Sequence, residues 1–193
     1  MNSSIVVEDY SGMKQLDMDA LLGSKGKIFL TEDINSETAS ATIKTMIYLS
    51  ENGIPIKLYI DSCGGEMHSG LAIIDAMNIL SKKVEIEVIC IGKAYSMASL
   101  ILAAGTKGHR YIMPHGEVMV HEPLVMNGTG GSASSVRNKA DSLLSIRDKI
   151  SDMMSRYTGL PTKKINSIMR ANTFMDAEKA IELGLVDKII TEF

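Results

Sequence analysis

The sequence has no tryptophan, few other aromatic residues and few cysteines. Of its 193 residues 5% are aromatic and 14 are methionine, so we predict an aliphatic core in which methionine fills the gaps. The two cysteines, Cys63 and Cys90, show no spacing typical of a metal or redox motif. This excludes a disulfide scaffold and fits a reducing compartment, and both cysteines are predicted to be small buried residues.

Long apolar runs and basic clusters are also absent. The N-terminal residues have no basic segment followed by an apolar one, and no run is long enough to span a bilayer. We therefore expect a cytoplasmic protein with no secretory signal and no membrane partner. The formal net charge is −3, from 20 basic and 23 acidic residues. Because the basic residues are dispersed, the chain has no electrostatic footprint for nucleic acid.

What the sequence does contain is an alternation of strand-like and helix-like apolar spacing. Strands are predicted at 27–30, 56–61 and 84–91, each followed by a helical pattern. This order predicts repeated right-handed βαβ units and a mainly parallel sheet, within a single α/β domain over residues 1–193. Residues 1–26 are mixed in character and are predicted to form a partly ordered arm with a short helix near 17–22.

The second half of the chain predicts a different set of elements. Two short strands are expected at 109–113 and 117–121, separated by a Pro-His-Gly turn. A helical pattern then runs from about Ser132 to Tyr157. At 1.5 Å per residue this helix would be roughly 39 Å long, so we predict that it projects and packs on another subunit. The remaining predicted elements are a helix over 162–170, a helix capped by Asp176 and a strand over 185–190.

Ser96 lies between the third predicted strand and a helix of small apolar residues. A serine on a sharp strand-to-helix turn presents its hydroxyl beside the helix N–H groups, as in the nucleophile elbow of serine hydrolases. Serine is also a favoured N-cap residue. Taken alone, this stretch therefore leaves simple helix capping as the plainer interpretation.

A serine nucleophile needs a base and hydrogen-bond donors for the oxyanion. Three of the four histidines lie in or beside turns and are predicted to be surface residues. His121 ends a predicted strand where the chain changes direction, a common location for a functional residue, although a structural role stays equally open. Gly64-Gly65 ends the second strand and could offer free amides. Because carboxyl ends of parallel strands meet at one edge, these glycines and Ser96 are expected to lie close together.

Several ordered motifs carry a family resemblance. They are Leu58–Gly65, Ile89–Ala98, Leu102–Gly105, Val118–Pro123, Phe174–Ala177 and Gly184–Asp187. Together they resemble the ClpP family, the proteolytic subunits of ATP-dependent Clp proteases, from about residue 26 onward. The resemblance implies a ClpP/crotonase-like fold of repeated ββα units. It also implies that residues of about 123–157 form a protruding handle that joins two heptameric rings.

The resemblance further implies a serine endopeptidase that degrades unfolded polypeptides inside an oligomeric chamber. Its site residues would be Ser96 as nucleophile, His121 as general base, the N–H groups of Gly65 and Met97 as oxyanion hole, and the backbone of Leu124, Val125 and Met126 for extended substrate. No metal or other cofactor is expected, because ATP would be used by the partner. That partner would be a hexameric AAA+ unfoldase of the ClpX, ClpA or ClpC type.

Several positions depart from the family pattern, among them Cys63, which replaces the usual proline beside the glycines. Asn172 stands where the family has the third triad residue, an aspartate; asparagine can orient the imidazole but carries no charge to stabilise its protonated form. Arg170-Ala171 replaces an Asp-Arg pair that joins the two rings, so ring contact through Arg170 is expected to differ. Lys57 replaces an aromatic residue of the pocket that receives the unfoldase loop.

These departures predict low intrinsic activity and leave three functions open. The first is a ClpP-type endopeptidase subunit with a triad of Ser96, His121 and Asn172, assembled as a homo-heptamer or tetradecamer. The second is a weakly active or inactive structural ring that pairs with an active ClpP paralogue in mixed rings. The third is a crotonase-type acyl-CoA enzyme, against which the combination of Ser96 and His121 argues, because that chemistry needs no serine nucleophile.

Overall fold

A seven-stranded sheet organises the fold. The computed structural model describes residues 4–10, 12–124 and 130–192. In chain order the elements are β1 (Ser4–Asp9), β2 (Gly12–Asp17), α1 (Met18–Ser24), β3 (Lys27–Leu30), α2 (Ser36–Glu51), β4 (Ile56–Ser62), α3 (Met67–Leu80), β5 (Ile86–Tyr95), α4 (Met97–Ala103), β6 (Arg110–Ile112), β7 (Glu117–Val120), α5 (Ala133–Thr158), α6 (Thr162–Met169), β8 (Thr173–Met175), α7 (Ala177–Glu182) and β9 (Lys188–Ile189).

The sheet is mainly parallel, which confirms the predicted βαβ arrangement. Strands β3, β4, β5, β6 and β9 form one parallel path. Strand β5 is long enough to pair twice on the same side: Val88–Cys90 pairs with β6, and Lys93–Tyr95 pairs with β7. Strand β8 then joins β7 antiparallel. The last part of β5 thus carries the chain into a second group of strands, and Ser96 follows directly after it.

The core is aliphatic and contains many methionines, as the composition predicts. Every residue of α4 is buried, so this short helix lies inside the fold rather than on its surface. The buried methionines are Met46, Met77, Met97, Met119, Met153, Met154, Met169 and Met175. Cys90 is buried as predicted, but the same prediction for Cys63 is wrong, because that residue is exposed on the turn after β4.

Helix α5 has the length that the sequence predicts, with 26 residues. The Ser132 side chain accepts a hydrogen bond from the Ser135 N–H at its start, and Gly159 ends it in a left-handed conformation with φ 79°. Its buried residues are Ser151, Met153 and Met154, all close to the C-terminal end. The first two thirds of the helix therefore make no buried contact with the described part of this chain. Among the described helices, none combines the length and the apolar character needed to cross a membrane.

Arg110 at the start of β6 joins distant parts of the chain. Its side chain is 2% exposed, and its Nε and Nη2 atoms donate to the two carboxylate oxygens of Asp187 at 2.9 and 2.6 Å. Nη1 donates to the carbonyl oxygens of Ala103, Tyr157 and Gly184. Burial alone would raise the pKa of Asp187, but hydrogen bonds from Arg110 and from the Gly108 N–H hold that pKa below its ordinary value. The guanidinium thereby ties α4, α5 and the last strand together.

Some predicted elements differ from the structure. The N-terminal arm does contain a short helix, but it also forms the antiparallel pair β1–β2, which was not predicted. The last strand is confined to Lys188–Ile189, and the residue before it, Asp187, is paired with the Arg110 side chain. Strand β8 was not expected either. With three residues, it is too short for an apolar alternation to be recognised in the sequence.

Candidate active site

Ser96 lies on a strained turn between β5 and α4. Its backbone angles are φ 52° and ψ −121°, and it is the one non-glycine residue with positive φ in the described ranges. Such a conformation costs about 1–3 kcal/mol and persists only where the surroundings enforce it. Here the Ser96 N–H donates to the Met119 carbonyl at 2.8 Å, and the Ser99 hydroxyl donates to the Ser96 carbonyl at 2.6 Å. The turn is therefore held from both β7 and α4.

His121 follows β7 and faces the serine. Its Nε2 atom lies 2.7 Å from the Ser96 hydroxyl oxygen. Because β5 and β7 run parallel with Tyr95 opposite Met119, the ends of these strands bring the two residues together. Ser96 makes no side-chain capping bond to α4, so the capping interpretation is wrong. The sequence-based pairing of Ser96 with His121 is present as a hydrogen-bonded dyad.

The half-buried position of His121 favours its neutral form. Burial lowers the pKa of the imidazole below its ordinary value of 6.5, because desolvation penalises the charged state. At neutral pH, Nε2 can therefore accept a proton from the serine hydroxyl. This is the protonation state that a general base requires.

Gly64 and Gly65 pack directly against the elbow. Gly64 has φ 98°, and a Cβ atom there would lie 2.8 Å from the Cβ of Ser96 and 3.0 Å from the Met97 amide nitrogen. A Cβ atom on Gly65 would lie 2.1 Å from the Ile34 carbonyl oxygen. Any side chain at either position would separate this turn from its neighbours. Glycine is thus required for the turn to approach Ser96.

Two backbone amides beside the serine are available to a ligand. The Gly64 carbonyl accepts from the Ile34 N–H, and the Glu66 N–H donates to the Ile34 carbonyl, both at 2.7 Å. Between these bonds, the N–H of Gly65 has no acceptor in the described part of the chain, and neither does the N–H of Met97 at the start of α4. The predicted oxyanion-hole residues are therefore next to Ser96 with free donors.

Asn172 makes no hydrogen bond with the imidazole among the described residues. It is exposed, between the end of α6 and β8. The neighbouring Thr173 hydroxyl donates to the Ile168 carbonyl at 2.6 Å, which fixes the chain beside it. The structure thus brings together two members of the predicted triad, and the role of Asn172 stays a prediction.

The other predicted site residues have the following positions. Leu124 is 63% exposed shortly after His121, whereas Val125 and Met126 lie outside the described residues. Arg170 is exposed at the C-terminal end of α6. It makes no ion pair within the described ranges. Their roles in binding substrate and in ring contact stay predictions.

One group of side chains away from the dyad offers ligand-type atoms for a metal ion. Atoms of Glu85, Glu87 and His109 lie within 4.8 Å of one another. Glu87 is already paired with Lys57, whose Nζ lies 3.0 Å from its carboxylate. The group lies at the N-terminal end of β5, at the opposite end of that strand from Ser96. The chemistry available to the dyad does not involve it.

Sequence reasoning missed a ring contact between Tyr95, which directly precedes Ser96, and Phe174 on β8. The Tyr95 hydroxyl donates to the Glu117 carboxylate, and its ring meets that of Phe174 edge to face, with centroids 5.5 Å apart. This contact depends on β8 pairing with β7. Since β8 was not recognised in the sequence, nothing there linked the two rings.

The comparison with protein families agrees with the fold and the dyad. The family model described as Clp protease matches residues 11–193. The match includes the elbow, His121, the glycine turn and the Asn172 segment. The mixed α/β architecture with its mainly parallel sheet is consistent with the ClpP fold, as predicted. The chain therefore belongs to the Clp protease family.

Proposed function

We propose that this chain is a serine endopeptidase subunit in which Ser96 is the nucleophile and His121 the general base. Membership of the Clp protease family makes it a peptidase. The observation that carries the serine assignment is the 2.7 Å contact between His121 Nε2 and the Ser96 hydroxyl on a strained elbow. A nucleophile and a base within hydrogen-bond reach are the signature of covalent catalysis.

The proposed reaction follows from this geometry. The Ser96 oxygen attacks the scissile carbonyl while its proton passes to His121 Nε2. The carbonyl oxygen becomes an oxyanion, which the N–H groups of Gly65 and Met97 stabilise. His121 then gives its proton to the leaving amine, and the acyl group stays on Ser96. A water molecule, deprotonated by His121, releases the acyl group by the reverse sequence.

The reaction should depend on pH through His121. We expect the rate at which a fluorophosphonate modifies Ser96 to fall as pH decreases, because the protonated imidazole cannot accept the serine proton. Since burial lowers the pKa of His121, the midpoint of this decrease should lie below pH 6.5. The rate constant for modification, measured between pH 5 and 8, tests this. A midpoint above 6.5 would mean that a neighbouring anion holds the imidazole in its charged form.

Low intrinsic activity is part of the proposal. No group among the described residues accepts a hydrogen bond from His121 Nδ1. Within the described part of the chain, the imidazolium formed during the reaction therefore has no hydrogen-bond acceptor at Nδ1 to stabilise it. In triads that lose this carboxylate the rate falls by about 10⁴.

The lack of an acceptor for His121 Nδ1 among the described residues also favours the second candidate, a structural ring that pairs with an active ClpP paralogue. Asn172 is exposed, and Arg170 makes no ion pair within the described ranges. Both observations would be explained if a partner ring supplied the contacts that align the site. No observation supports the crotonase-type alternative. That chemistry needs no serine nucleophile, so it would not explain the hydrogen bond between Ser96 and His121.

The proposed assembly is an oligomeric ring that works with an AAA+ unfoldase in the cytoplasm, with ATP used only by the unfoldase. A cavity of about 490 Å³ opens beside the N-terminal half of β5. It is lined by Lys57, Glu87, Ile89, Tyr111 and Ile190, among others. Because the Lys57–Glu87 ion pair occupies one wall of this cavity, an apolar unfoldase loop would find a more polar pocket than an aromatic residue at position 57 would provide.

Labelling of Ser96 tests the proposed function. The purified chain is treated with a fluorophosphonate, alone and mixed with a family member that carries the triad aspartate, and the modified residue is located by mass spectrometry. We expect modification at Ser96, its loss in Ser96→Ala, and its retention in the control Ser145→Ala on the exposed face of α5. No modification of Ser96 under either condition would refute the peptidase proposal and leave the structural ring.

A further inference from the structure

We propose that the rings of Tyr95 and Phe174, with the buried side chain of Met119 between their strands, form a subsite for the substrate residue on the leaving-group side of the scissile bond. We call these three side chains the aromatic platform. The inference rests on the proposed peptidase function and adds to it a preference for large apolar residues at that position.

The platform is a single row across three strands. Tyr95 on β5 is opposite Met119 on β7, and Met119 is opposite Phe174 on β8. Side chains of directly paired residues point to the same face of a sheet. The edge-to-face contact of the Tyr95 and Phe174 rings, at an interplanar angle of 89°, agrees with this.

This row lies just before the dyad along both β5 and β7. Tyr95 immediately precedes Ser96, and Met119 is two positions before His121. Residues two apart along an extended chain share a face and are roughly 7 Å apart. A substrate residue bound just beyond Ser96 can therefore reach the platform with its side chain.

The arrangement of strands decides which half of the substrate meets the platform. The glycine turn that would bind the oxyanion follows β4, on one side of β5, whereas His121 and β8 lie on the other side. The general base must deliver its proton to the leaving amine. The leaving half of the substrate must consequently pass on the His121 side, where the platform is.

The chemistry of the platform selects large apolar side chains. Phe174 is 53% exposed, so its ring offers apolar surface that a bound residue would cover. The hydrogen bond from Tyr95 to Glu117 fixes the tyrosine ring, and it raises the pKa of Tyr95 to about 12, so the phenol stays neutral. The Glu117 carboxylate beside the rings would repel an acidic residue.

Peptides that differ only at the leaving-side residue test the subsite. We expect kcat/KM to be roughly tenfold higher for phenylalanine than for glycine at that position, and lowest for aspartate. In Phe174→Ala the ratio of the phenylalanine to the glycine peptide should fall toward one, whereas Phe174→Leu should keep most of it. Because the readout is a ratio within one variant, a general loss of activity cancels. Tyr48→Ala, an equally exposed aromatic residue on α2, is the control and should keep the ratio.

Two results would overturn the inference, and they differ in meaning. If phenylalanine and glycine peptides are cut equally well, or if Phe174→Ala keeps the preference, the platform is not a subsite while the peptidase proposal stands. If Ser96 is not modified by a fluorophosphonate and no peptide is cut, the peptidase proposal fails and the subsite fails with it.

Discussion

Replacing Asn172 by aspartate should raise the rate of peptide hydrolysis by about 10²- to 10⁴-fold. Loss of the corresponding carboxylate from a serine protease triad costs about 10⁴ in rate. Here the gain is limited because no hydrogen bond joins Asn172 to His121 among the described residues. A carboxylate would be drawn to the imidazolium as it forms, because opposite charges attract strongly in a partly buried site. Steady-state turnover of a fluorogenic peptide measures the effect.

The control for this substitution is Asn138→Asp, on the exposed face of α5, which should leave turnover unchanged. The substitution at Asn172 should also move the acid limb of the pH profile upward, because a nearby carboxylate favours the charged imidazole. Unchanged turnover in a variant whose assembly is intact would mean that the third triad residue does not limit the reaction.

Arg110→Met should lower the free energy of unfolding by about 3–5 kcal/mol. The change removes one partner of a buried ion pair. The Asp187 carboxylate keeps only its backbone donors, and three carbonyl oxygens lose their side-chain donor. Arg110→Lys should recover little of this stability, because an ammonium group cannot replace a bidentate guanidinium. Urea unfolding followed by circular dichroism, at one fixed protein concentration, measures the change.

A matched pair on the surface provides the comparison. Arg137 Nε lies 3.9 Å from Asp141 on α5, and both side chains are more than half exposed. Arg137→Met should therefore cost about 0–1 kcal/mol. If both substitutions lowered the free energy of unfolding equally, burial would not explain the contribution of the Arg110 network to stability.

Much of the catalytic geometry could be predicted from the sequence because it follows from strand order. Alternating strands and helices indicate a parallel sheet. Functional residues of such sheets lie at the carboxyl ends of the strands, where the sequence has a glycine pair and a serine. Among the four histidines, His121 was distinguished by its place at a strand end, and the resemblance to the ClpP family implied its role as general base. The structure confirms the contact between Ser96 and His121.

The features that were missed depend on pairings that leave little trace in sequence. Strands β1, β2 and β8 are short or mixed in polarity, so their pattern does not stand out from that of loops. The ring contact of Tyr95 with Phe174 joins residues 79 positions apart (174 − 95 = 79) through β7. The exposure of Cys63 follows from its place on the turn, which apolar character alone does not reveal.

The double pairing of β5 has a consequence for when the enzyme can act. Ser96 is fixed by β5, but His121 reaches it only after β7 has been added in the register that puts Tyr95 opposite Met119. A slip of one residue would turn His121 to the other face of the sheet. A chain that is still being synthesised, or one that is misfolded in this region, therefore has a serine without its base. In the proposed peptidase, correct pairing of β5 with β7 is therefore a condition for catalysis, and activity begins only after this part of the chain has folded.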